Sequence, residues 1–451
     1  MSRKRSLLPL VFTASLATIW SAACDDDGEE PGGQTATGGS ATTSDAGSGG
    51  NGGTGGSDAG TGARPHPQYP ALDLAELPGD GGGALGPYEP PALPDTDRTV
   101  TVSSTGTQAA RDLEQACATP GTAVEVPDAA GRIGVVNIGD VDDCDVQLGA
   151  DVIVDTLVVG SLPGPTHAPA HRIRVRGGQI GSMLVRGGSS DLVFDGVTVN
   201  NGVQPAASRN GTGMYLPSGD NPDDVVDRFV FVNSFIRMLP VDAGTGGDID
   251  GTAYLSGNAR NILFANNNIV TAGNRNSWGF RFSGGHNILL VDNTVRVSFH
   301  KLVRMNDEPV DYVAILGGTW MREATLTAGG ALLNDSFAQL SGSTTDHVYV
   351  HDPVVYLLAD ASVSFGMTSD DVQAGRSWEA RRIEWHALND TVISDDILST
   401  REGHCVAGAS CDYGVGTHSY DYDAALTFPA NPWRDLPTFD NDYPDSLPVV
   451  P

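Results

Sequence analysis

Four short segments share one spacing of residues that could do chemistry: Met214-Tyr215-Leu216, Ala253-Tyr254-Leu255, Phe280-Arg281-Phe282 and Val303-Arg304-Met305. Alternation along a strand sends the flanking apolar residues to one face and the central residue to the other. If the segments stack, Tyr215, Tyr254, Arg281 and Arg304 form an outward column. Aromatic rings stack on pyranose faces and a guanidinium grips a carboxylate in a bidentate fork, so the chemistry of this column is sugar binding. His300 and Lys301 stand at its edge, and Lys301 is the single lysine beyond residue 23. Two arginines on adjacent rungs repel one another unless an anion lies near both. A ligand carboxylate would serve, and so would Asp248, Asp250 or Asp307 of the chain itself. Sequence alone leaves both readings open.

Other candidates are weaker. Asp248-x-Asp250-Gly and the cluster Asp140, Asp142, Asp143 and Asp145 place oxygen ligands at short spacing. Calcium is the ion such oxygens would take, although neither run matches a twelve-residue EF-hand loop. Solvated aspartates in turns are the plainer reading, and no cofactor is required. Beyond Cys24 there are four cysteines, Cys117, Cys144, Cys405 and Cys411. In an oxidising compartment the expected disulfides are Cys117–Cys144 and Cys405–Cys411, with three connectivities open. The five-residue gap between Cys405 and Cys411 fits no common zinc ribbon.

The elements that would position the column emerge from an internal repeat, apolar-x-apolar-x-(Asn/Asp/Gly)-x-x-apolar. It begins at Ile173, Leu192, Phe229, Ile262, Ile288, Val313 and Val348, with steps of 19, 37, 33, 26, 25 and 35 residues. Irregular steps around a constant pattern imply fixed rungs joined by loops of varying length. Apolar-x-apolar is a short strand with one buried face, and the small or amide residue after it marks a bend. Asn and Asp at that bend can form ladders from coil to coil. Seven copies of this signature resemble the right-handed parallel β-helix of the pectin-lyase-like superfamily. Residues 107–126, TQAARDLEQACATPGTAVEV, are similar to the helix that caps the open end of that core, followed by a first strand. The resemblance implies an all-β fold, a right-handed parallel β-helix of about ten coils at roughly 4.8 Å spacing with an N-terminal capping helix. It also implies a chemistry. The superfamily's polysaccharide lyases use Lys or Arg to take a proton beside a uronate carboxylate, often with calcium on that carboxylate. Arg281, Lys301, Arg304 and His300 would be the catalytic set. The paired aspartates and Gly-His-Gly run of the fold's hydrolases are absent, and Gly284-Gly285-His286 reads as a turn. Such an enzyme would be a lyase rather than a glycoside hydrolase.

Composition sets the surroundings. The chain has 451 residues with 57 Gly and 27 Pro, only 7% aromatic and 18% charged residues, which argues against a mostly helical protein. Its formal charge of -30 argues against a nucleic-acid partner. Arg3, Lys4 and Arg5 precede an apolar run from Leu7 to Trp20 and the small residues Ser21, Ala22 and Ala23, as in a secretory signal. Cys24 then follows, and the junction resembles the lipobox of bacterial lipoproteins, with Ser21 where Leu is usual. Removal of residues 1–23 takes away three bases and no acid, leaving 23 basic against 56 acidic residues. Residues 24–64 are expected to be a disordered Gly/Ser/Thr-rich tether, since residues 25–64 hold 24 Gly, Ser and Thr and no large apolar residue. Residues 65–104 form a Pro-rich extended segment, 105–400 the β-helix and 401–451 an irregular Pro/Asp-rich tail. The expectation is an exported monomer, lipid-anchored at the cell envelope, on the outer membrane or cell surface. It meets the membrane only through its anchor and presents a surface to a polysaccharide or another envelope component. A polysaccharide lyase and a ligand-free spacer are the two alternatives.

Overall fold

The computed structural model describes residues 89–160, 169–204, 211–217, 224–238, 251–256, 259–271, 278–297, 301–305, 310–322, 336–340, 345–357, 377–388, and 408, 410–412, 414 and 416–427 in the C-terminal part. They form an all-β solenoid of parallel sheets. One repeating unit runs Arg260–Ala265, Asn268–Thr271 and Trp278–Ser283, and the next runs Gly285–Val291, Thr294–Val297 and Lys301–Met305. Each strand pairs in parallel with its equivalent one unit later. First strands build a twelve-stranded sheet, here called sheet 1, from Arg98–Thr101 to Ser410–Asp412. Second and third strands build two ladders, 2 and 3, of a seventeen-stranded sheet. They are joined by Ile153–Val159, whose first residues pair with Gln179–Ile180 and whose last pair with Met183–Val185.

The apolar pairs of the repeat stack as expected. Phe229 is in register with Ile262 and then Ile288, and Phe231 with Phe264 and then Leu290. All six are fully buried. Phe264 has the Phe229, Phe231 and Phe280 rings at centroid distances of 5.8, 5.9 and 5.2 Å. Each coil contributes too little apolar surface to fold alone, so burial between neighbouring coils stabilises the stack.

The bends follow from left-handed backbone. Asn233, Asn266, Asp292, Gly317 and Asp352 have φ of 50, 53, 49, 62 and 59°. Asn and Asp tolerate this region better than other side chains because they hydrogen-bond locally. Their side chains also link coils: Asn266 Nδ2 donates to Asn233 Oδ1 at 2.8 Å, and Asn233 Nδ2 to Asp195 Oδ1 at 2.9 Å. A second, buried ladder lies one residue on. Ser234 N–H donates to Asn267 Oδ1 at 3.0 Å, and Asn267 Nδ2 donates to Asn293 Oδ1 at 3.0 Å. Asn267 and Asn293 also donate to the Phe231 and Phe264 carbonyls, each at 2.9 Å. At Gly318, next in this series, a Cβ would lie 2.3 Å from the Asn293 carbonyl oxygen at φ +79°, so only glycine fits.

Near the start of the sheet 1 strands a further left-handed series crosses eight rungs: Asp143, Arg172, Asp191, Arg228, Asn261, Asn287, Tyr312 and His347, all with φ between 49 and 58°. Their side chains pair along the stack. Asp143 accepts two hydrogen bonds from Arg172, and Asp191 two from Arg228. Asn287 donates to Asn261, and Tyr312 stacks on His347 at 4.2 Å. Helix Gly106–Cys117 packs against Thr122–Val126, Arg132–Ile138 and Val141–Leu148 through Ala109, Ala110, Leu113 and Ala116. Cys117 at its end forms the expected disulfide with Cys144. Cys411 is disulfide-bonded as well, while Cys405 lies outside the described residues.

Candidate binding face on the third ladder

The four column residues sit on consecutive rungs. Tyr215 is in register with Tyr254, Tyr254 with Arg281, and Arg281 with Arg304. Leu184 precedes Tyr215 and Gln339 follows Arg304. The flanking residues Met214, Leu216, Ala253, Leu255, Phe280, Phe282, Val303 and Met305 are fully buried, whereas Tyr215, Arg281 and Arg304 are partly exposed. A parallel in-register sheet therefore turns a repeated tripeptide into a column.

Repulsion between the two arginines has a relief that their spacing does not reveal. The guanidinium carbons of Arg281 and Arg304 both lie 5.0 Å from the centre of the buried Trp278 ring. An indole face attracts a cation, more strongly where water is excluded. One ring thus faces two cations on adjacent rungs. Lys301 is in register with Trp278, three residues before Arg304. Arg186, next to Tyr215, lengthens the basic strip. Burial pulls its pKa below the usual value, and the Tyr215 phenol acts in the opposite direction.

The arginines of ladder 2 were not anticipated. Arg237, Val270, Arg296, Met321 and Tyr356 share one register position. Arg296 and Arg322 are 3% and 1% exposed. The strands of ladders 2 and 3 between Thr212 and Arg322 contain Arg237, Arg281, Arg296, Lys301, Arg304 and Arg322, and no Asp or Glu. In a chain of formal charge -30 these strands are basic throughout, with Arg322 at the register position of the core residues Val297 and Leu357. This would have been visible in the sequence had charge been counted strand by strand.

The other candidates fare differently. Asp143 is engaged by Arg172, and Asp145 by Arg174 and Arg176, so these carboxylates of the Asp140–Asp145 cluster are already matched by arginine. The Arg172 hydrogen bonds hold the Asp143 pKa below the usual carboxylate range against its partial burial. Among the described residues no group of three or more His, Cys, Asp or Glu could hold a metal ion. His300, Asp248, Asp250 and Asp307 lie outside the described residues. Gly284 forms the bend between Trp278–Ser283 and Gly285–Val291, at φ 108°. The His286 beyond it faces Asp311 on sheet 1, Nδ1 to Oδ2 3.6 Å, away from the column.

No family model matches the chain, and no curated protein or solved structure does so either.

Proposed function

We propose that the protein is a lipid-anchored extracytoplasmic β-helix that binds a carboxylate-bearing polysaccharide of the cell envelope or its surroundings on ladder 3. The observation that carries this reading is the column Tyr215, Tyr254, Arg281 and Arg304 within strands that hold basic residues and no acids. Rungs about 4.8 Å apart, close to the length of one sugar residue, would let successive sugars meet successive side chains. Tyrosines would supply stacking surface and arginines would fork onto carboxylates. The whole chain's negative charge would disfavour approach of a polyanion elsewhere, so the basic strands would also orient it.

The finer architecture belongs to the same reading. The helix is right-handed, as parallel crossovers almost always are, with about ten coils and the segment Gly106–Cys117 closing its N-terminal end. Residues 1–23 are an export signal, Cys24 carries the lipid, and residues 24–64 hold the body away from the membrane. Lys301, registered beside Trp278 and near Arg304, supports a second reading, β-elimination by a lyase on the same face.

A polysaccharide panel separates these readings. The lipid-free protein should retain uronate-containing polymers in affinity electrophoresis and neutral ones less, with no new absorbance from unsaturated ends. Such absorbance would establish the lyase, calcium dependence would add the metal, and no retention of any polymer would leave the spacer.

A further inference from the structure

Arginines of sheet 1 are matched by acids: Arg172 by Asp143, Arg174 by Asp145, Arg228 by Asp191 and Arg381 by Glu379. Arg186, directly after strand Met183–Val185 of ladder 3, is set differently. It is partly exposed, among the described residues no carboxylate pairs with it, and its buried Nε has no hydrogen-bond acceptor. Burial lowers its pKa, and the side chain acting against that is the Tyr215 phenol rather than an acid. A half-buried cation left without an acid costs stability, and here it does so in a chain with 56 acidic residues. A cost of that kind marks a place where a ligand brings the missing anion.

The backbone fixes where Arg186 stands. Its N–H donates to the Val159 carbonyl at 2.7 Å, continuing the pairing with Ile153–Val159, and its own carbonyl accepts from Ser189 N–H at 3.3 Å. Neighbouring glycines let the chain close around its stem. A Cβ on Gly160, at φ +87°, would lie 2.7 Å from Arg186 Cβ, and one on Gly187 would collide with the Asp224 carbonyl oxygen. Leu184 is in register with Tyr215. Alternation gives Arg186 the same outward side as Leu184, so Tyr215 lies diagonally across from it on the next rung. A phenol ring beside a guanidinium unites the two contacts a uronate needs, a stacking face for the ring and a fork for the carboxylate.

We infer that Arg186 and Tyr215 form an end subsite for one uronate residue, its ring on the phenol and its carboxylate on the guanidinium. This subsite rests on the binding face proposed above and sets the length of its ligand. Three rung steps separate Tyr215 from Arg304, roughly 14 Å at about 4.8 Å each, so the face takes at least about four sugars with a charged one at each end. Calorimetric titration of the full chain with uronate oligosaccharides of about two to eight sugars, and with their carboxyl-reduced counterparts, tests this. Affinity for the uronates should rise up to about four sugars and then level off. Arg186→Gln should lose about tenfold or more with the longer uronates, leave the weaker binding of the reduced oligomers unchanged, and melt no lower than the wild type, since it breaks no native ion pair. If Arg281→Ala weakens binding about tenfold while Arg186→Gln stays within about twofold, the subsite is overturned and the face stands. If no oligomer binds the wild type, both fall. An Arg186→Gln chain that fails to fold or melts several degrees lower would give Arg186 a structural role and overturn the subsite as well.

Discussion

Replacing Asn267 with alanine strikes the buried ladder at its centre. Three side-chain hydrogen bonds go: those to the Phe231 carbonyl and to Asn293 Oδ1, and the one accepted from Ser234 N–H. Asn293 Oδ1 keeps its bond from the Asn267 backbone, so the sharpest damage is the Ser234 N–H, which loses its acceptor in a buried setting. A buried donor left unsatisfied costs about 1–3 kcal/mol, and each further lost bond about 1 kcal/mol, for a total of about 3–5 kcal/mol. The control is Asn266→Gly on the solvent-facing ladder. It removes one exposed bond, but glycine adopts φ of 53° freely, so the net change should stay within about 0.5 kcal/mol. Urea unfolding followed by circular dichroism measures both as midpoint shifts at constant slope. Equal shifts for the two variants, or a loss below about 1 kcal/mol for Asn267→Ala, would refute the argument that buried amides tie the coils together.

Three further outcomes are expected. Phe264→Ala should cost about 3–5 kcal/mol in the same unfolding assay, because a fully buried ring among three others leaves a cavity. Burial alone would raise the Asp191 pKa, but Arg228, the Ala92 N–H and the Ser190 hydroxyl hold it below the usual value of 3.8. A depressed folded pKa contributes stability that is present above the unfolded value and lost as pH falls through the folded one. Asp191→Asn should therefore lower stability at neutral pH by about 3 kcal/mol and flatten its decline below pH about 4, as read by acid titration of the unfolding midpoint. Cys24→Ser should move the protein from the detergent phase to the aqueous phase in detergent partitioning, with its circular dichroism unchanged.

The core and the column were legible because both repeat locally. Apolar-x-apolar and the amide two residues later recur at every rung, and parallel in-register pairing carries Tyr215, Tyr254, Arg281 and Arg304 into line. The left-handed series on sheet 1 was not legible. Its residues are Asp, Arg, Asn, Tyr and His at different rungs, so no recurring residue type marks a backbone shape held by neighbouring coils. Trp278 gave no signal either, since its role depends on an arginine of the next rung. The outward apolar strip of sheet 1, Val193, Val230, Leu263, Leu289, Ala314 and Tyr349, is buried as well and did leave a trace. Phe229–Val232, Ile262–Ala265 and Ile288–Val291 are continuous apolar runs, the mark of strands buried on both faces.

The most direct test of the binding face is the affinity of the lipid-free protein for a uronate polymer, compared across Arg281→Ala, Tyr254→Ala and Arg172→Ala. Arg172 is the control, because its guanidinium is bound to Asp143 on sheet 1. The proposed face predicts a loss of about tenfold or more for each of the first two variants and little change for the third, given about 1.5–3 kcal/mol for a hydrogen bond to a charged group. Equal affinity in all three, or a loss confined to Arg172→Ala, would contradict it.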